Sequence, residues 1–332
     1  MRKPRVLSPA WLLFFLSPAV GELLSGSAPP AEFFSPLAFV ILAVLYGGGA
    51  ILIRELTFRW GKGWPTLFVL AAAYGIAEEG LMCKSFFDPA WMDLGLLASY
   101  GRWVGVNWVW VFHLTIYHAV FSIVIPIVLV GLVLPGRRER VWIGRRMLVL
   151  LLGLWVVNAI LIFFFISKYR PPVVHYVLTL AVTAGLCVLA WKQPYPRLMW
   201  CGKRQGPAHR FWFLLTGFLS TLGLFFLAWV LPQTGVYPIV TILMMAGLVV
   251  AAGWVVLKMS GGVVLSDRHK LALISGALGF FILLAPLQEL DKKRADNTAG
   301  MTIVGVSMAV FLVWLAQRVR SAQGRGHIAE DI

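Results

Sequence analysis

The stretch Met147–Ser167 reads MLVLLLGLWVVNAILIFFFIS, apolar almost throughout. It carries no charge, its one amide side chain is Asn158, and Arg145-Arg146 and Lys168 bracket it. At 1.5 Å per residue, a helix of this length is about 30 Å long, the thickness of a bilayer's hydrocarbon core. The run is continuous instead of alternating, which excludes a barrel strand. Working outward, nine further runs read the same way: 6–24, 36–53, 64–83, 106–134, 173–191, 211–230, 238–257, 271–290 and 300–316. Of the 332 residues, 60% are hydrophobic and 13% charged, against about 25% charged in a soluble domain. A soluble enzyme, a disordered chain and a disulfide scaffold are thereby excluded.

The expected architecture is an all-α, polytopic integral membrane bundle of about ten transmembrane helices. One transmembrane domain covers 1–316, and a short polar tail, 317–332, is expected to fray. The opening Met-Arg-Lys-Pro-Arg resembles a signal peptide, but Pro18 and Glu22 fit a cleaved segment poorly, so 6–24 is read as a span. The run 106–134 is too long for a straight crossing. Trp103, Trp108 and Trp110 are read as its outer aromatic belt, with a kink at Pro126.

A net charge of +15 raises the question of nucleic acid. The distribution answers it, because the basic residues sit in short clusters between apolar runs. Of 29 Lys and Arg, 22 fall in alternate loops on one side, including Arg137, Arg138, Arg140, Arg145 and Arg146, and seven on the other. That bias places both termini in the cytoplasm of a bacterial-type inner membrane, with the lipid bilayer as the partner. Cys83, Cys187 and Cys201 have neither metal-ligand spacing nor a disulfide pattern.

Ionisable groups inside spans are expensive and point to function. Glu78 and Glu79 lie in the third span, His113 and His118 in the fourth, Asn158 in the fifth, and His175 opens the sixth. Glu22, Gln288 and Glu289 end their spans, and the two glutamates are expected to snorkel to water. Counting inward from Phe86 and Trp110 puts Glu79 and His118 at one depth, about 10 Å below the outer boundary. Ala71, Gly75 and Glu79 form a small-residue stripe at i, i+4, i+8, so Glu79 is expected to face a neighbouring helix, with His118 the inward histidine. Lys84, Asp88, Asp93 and Arg102 in the following loop are candidates to cap the site.

This order of residues resembles the CPBP (Abi) family of intramembrane proteases, which includes the CAAX prenyl endopeptidases. Its motifs are EExxxR, FxxxH and HxxxN on spans n, n+1 and n+3. Here Glu78-Glu79, His113 or His118, and His175-Tyr-Val-Leu-Thr179, with Thr in the place of Asn, stand in those places. Cys83 replaces the motif arginine, with Lys84 one residue late, and Leu114 replaces the phenylalanine. The resemblance covers 78–179 and implies peptide hydrolysis within the membrane. Glu78, Glu79, His118 and His175 would then be catalytic, a glutamate activating water and the histidines holding a metal or an oxyanion. The residues themselves leave the cofactor, the metal and the substrate (peptide or small molecule) open. They also fit a transporter, since ten spans suit two inverted five-span repeats and Ser17-Pro18 marks a broken first helix. A non-catalytic membrane partner is the third reading.

Overall fold

The computed structural model describes residues 8–193 and 206–330, the segment 322–330 by its backbone alone. Arg2, Lys3, Arg5, Arg197, Cys201, Lys203 and Arg204 lie outside the described residues. Among those described, ten apolar helices occupy the ten expected runs. They are α1 (Pro9–Leu23), α2 (Pro36–Arg59), α3 (Trp64–Ala77, continued by Glu78–Met82), α4 (Trp108–Val133) and α5 (Arg145–Ile166), then α6 (Val173–Lys192), α7 (Arg210–Trp229), α8 (Pro238–Met259), α9 (Asp267–Leu290) and α10 (Met301–Glu330). Eight are long and apolar enough to cross a membrane. The other two are α1, which is short, and α3, whose apolar character is interrupted by Glu78 and Glu79. The protein is an all-α polytopic membrane protein. Beyond Gln317 the chain continues as helix to Glu330 instead of fraying.

The helices group into two compact units. One contains α1 as far as Gly21, α2 to α6, and Leu227–Met245 from the end of α7 and the start of α8. Here backbones approach through glycine, as they must where lipid gives no hydrophobic drive between helices. A Cβ at Gly47 would lie 2.1 Å from the Phe14 carbonyl oxygen. Pro18, four residues on, has no N–H to offer that oxygen. In the other unit α9 packs on α10, and α7 crosses α9 so closely that a Cβ at Gly276 would meet the Leu214 carbonyl oxygen at 1.9 Å. Glu289 closes this unit's last turn by accepting from the backbone N–H of Gly300 (3.1 Å) and Thr302 (2.7 Å). It thus caps α10 while staying partly exposed at the end of its span. Glu22, expected to reach water, is buried.

Five helices contain a π turn: Ala19–Leu23, Ala43–Gly48, Glu78–Met82, His118–Val124 and Ile162–Ile166. A π turn displaces backbone carbonyls from their usual donors, and in a bilayer each must find another. Side chains of neighbouring helices, and of the loop after α3, supply them. Tyr117 donates to the Gly21 carbonyl, Trp155 to Leu45 (3.1 Å), Ser17 to Ser122 (2.5 Å), and Lys84 to Phe163 (2.7 Å). Asn158, the lone amide of the opening stretch, donates to Ile41 (3.1 Å) just before the second π turn. The break expected at Pro126 takes the form of the π turn directly before it.

Candidate functional site

Glu78, Glu79 and His118 meet where two of these π turns face each other. Gly75 brings α3 against α4, since a Cβ there would lie 3.1 Å from the His118 Cβ. The small-residue stripe thus ends at the fourth span, as its spacing predicts. His118 Nε2 is 2.8 Å from Glu79 Oε1, and its Nδ1 is 3.4 Å from Glu78 Oε2 and 3.1 Å from Ser122 Oγ. One imidazole therefore stands between two carboxylates. All three side chains are buried, with Glu78 1% and Glu79 7% exposed. The site is enclosed by its own helices.

The two glutamates differ in what holds them. Glu79 Oε2 accepts from the Ser85 hydroxyl. The direction of that bond follows from Trp110, whose indole Nε1 donates to Ser85 Oγ at 3.1 Å and can only donate. With His118 on Oε1, both Glu79 oxygens are engaged. Glu78 faces the Tyr46 and Tyr74 hydroxyls, yet its Oε2 is buried with no hydrogen bond among the described residues. That oxygen lies 3.4 Å from His118 Nδ1 and has capacity to accept a further hydrogen bond. Tyr46 also stacks on the His118 ring, centroids 5.8 Å apart. Gly49 is packed against the Tyr74 ring, and Gly21 against Ser122. Glycine thus sits behind Tyr74 and Ser122, where a larger residue would push either side chain out of place.

The remaining candidates fall elsewhere. His113 is buried between the rings of Trp110 (5.8 Å) and Tyr117 (6.5 Å). His175 does not reach the carboxylates: its Nε2 donates to the Val104 carbonyl at 2.9 Å, and its ring packs edge-on against Phe87. Thr179 lies against α3 beside Glu79, where Gly80 makes room for it. Trp110, read as belt, belongs to the site. Among the loop residues, Lys84 and Arg102 turn to backbone carbonyls and Asp88 to the Ala90 N–H. The loop's contribution is Ser85, which sequence reasoning missed because it lies just past the end of the apolar run. Tyr74 and Ser122 carried a usable signal, each one helical turn from a site residue.

Glu78, Glu79 and His118 each offer one ligand atom, all within 4.8 Å of one another. Three protein donors with one open position is the usual set of a catalytic zinc. A metal there would displace the 2.8 Å contact between Nε2 and Glu79.

A family profile described as "Uncharacterized membrane protein family" matches residues 11–323. The chain belongs to that family. The match includes every residue of the site. No curated protein and no solved structure matches the chain.

Proposed function

We propose that the protein is an intramembrane hydrolase that cleaves peptide bonds, with Glu78 as the base. The observation that carries this reading is Glu78 Oε2, buried 3.4 Å from His118 Nδ1 and without a hydrogen bond among the described residues. A water held there would lose a proton to Glu78 as its oxygen attacks the scissile carbonyl carbon. That proton then passes to the leaving amine as the C–N bond breaks, giving one acid and one amine. Glu79, with both oxygens engaged, positions His118 instead of activating water, and the adjacent imidazole stabilises the developing charge. This reverses the emphasis that the small-residue stripe alone suggests. The CPBP resemblance gains support from the packing of α3 against both α4 and α6. It is weakened by His175, which we assign no chemical role.

A second reading, a proton-coupled transporter, is favoured by the same imidazole touching one carboxylate through each nitrogen, an arrangement able to pass a proton across the ring. The two readings separate in vesicles. Wild-type protein should generate new peptide termini from a membrane-protein extract, and Glu78→Gln should lose about 10²–10⁴-fold of that rate, the usual contribution of a general base. Proton flux without any new termini would replace hydrolysis by transport.

A further inference from the structure

The loop between α3 and α4 ends in a hairpin, β1 (Arg102–Trp103) paired antiparallel with β2 (Val106–Asn107). At its tip Val104 is 82% exposed and Trp103 42%. One exposed valine on a loop is ordinary, but this one is unusual in backbone and in depth. Val104 has φ 54, a left-handed conformation that β-branched residues avoid, and Gly105 follows at φ 73. The fold holds a strained backbone where an asparagine or glycine would relax it, and presents an apolar side chain there.

Depth is fixed by two contacts. The Val104 carbonyl accepts from His175 in the first turn of α6. Around that turn Val173, Val174 and Val177 are all exposed, on a helix apolar enough to cross the membrane, so they face lipid. Trp103 stacks on Trp108, the first residue of α4, with centroids 5.7 Å apart. The tip therefore lies level with the start of two spans. The one charge in the strands is turned away from lipid, because the Arg102 guanidinium donates to the carbonyls of Phe87, Ala98, Asp88 and Gly105.

We infer that the hairpin dips into the membrane, with Val104 and Trp103 seated at the boundary between headgroups and acyl chains of one leaflet. Tryptophan favours that boundary, and His175 is the latch that sets the hairpin's height. The inference stands apart from the hydrolase reading, since it uses none of the site's chemistry.

The test uses the full chain with its three cysteines replaced by alanine, Val104→Cys carrying an environment-sensitive fluorophore, in phosphatidylcholine vesicles. A membrane-seated tip gives blue-shifted emission, quenched by acyl-brominated lipid and shielded from aqueous iodide, whereas the same label at exposed Ser99 shows the reverse. Iodide quenching at position 104 without bromolipid quenching overturns the inference. Unlabelled variants guard against a folding defect. Aspartate adopts φ > 0 more readily than valine, so in water Val104→Asp should leave the melting temperature in vesicles unchanged or raised, alongside Val104→Gly. At the lipid boundary Val104→Asp melts below both wild type and Val104→Gly.

Discussion

Glu78 and Glu79 are neighbours in sequence with opposite surroundings, and the difference lies in residues distant from both. The depth count and the Ala71–Gly75 stripe made the Glu79–His118 contact legible. The bond from Ser85 was not, because its position depends on how the chain leaves α3. Lys84 controls that exit: its backbone is left-handed (φ 64) and its buried Nζ donates to the carbonyls of Phe163 and Ser167, both at 2.7 Å. Burial, and then the nearby Arg170 charge, push its ammonium down to about 8 from 10.5. Between those values the unfolded chain binds the extra proton, so stability rises with pH across the window and is lower, and flat, beneath it. The neutral amine keeps two N–H groups for its two carbonyls, so the loop stays pinned. Thermal unfolding in micelles should show that rise in wild type and not in Lys84→Met; equal slopes would remove Lys84 from this role.

His175 shows at the scale of elements why a motif can match and its residues fail to converge. The spacing HxxxT places Thr179 on the face of α6 that meets Gly80. One turn earlier α3 has already ended at Met82, so His175 finds the loop instead. A second element-level device left a sequence trace that hydropathy ignores. Glu55, fully buried near the end of α2, pairs with Arg54 (2.5 Å) and Arg59 (3.3 Å) and accepts from the Trp142 N–H (3.0 Å). Arg54 lies 3.9 Å from the Trp142 ring centroid and donates to the Arg138 carbonyl, which latches the loop between α4 and α5. Breaking a buried pair strands its partner charge. Glu55→Gln should therefore destabilise by about 3–5 kcal/mol in chemical unfolding, while Arg59→Gln, the more exposed partner, should cost about 1 kcal/mol or less. Equal effects would mean that burial does not set the strength of this cluster.

Across the whole molecule, the apolar runs locate all ten helices because lipid demands length and apolarity of each crossing. How those helices group into two compact units is not written in hydropathy, since both are built from the same kind of run. The backbone contacts that organise them rest on single glycines such as Gly47 and Gly276. The 22-to-7 distribution of basic residues carries a prediction about sidedness. Cysteine at Asp93 should react with an impermeant maleimide on intact cells, and cysteine at Arg137 only after permeabilisation. Reaction of both from outside would contradict the orientation.

If Glu78 activates a water for peptide hydrolysis, the oxygen of that water ends in the newly formed carboxyl group, where isotope incorporation reads it. Purified protein in lipid nanodiscs would be incubated with a peptide library from membrane proteins in ¹⁸O-water, and newly formed C-termini analysed by mass spectrometry. Wild type should place ¹⁸O in new C-termini, Glu78→Gln should lose it, and Glu79→Gln should lose part of it with folding intact. New termini that form equally in Glu78→Gln, or a wild-type protein that incorporates no ¹⁸O, would contradict it.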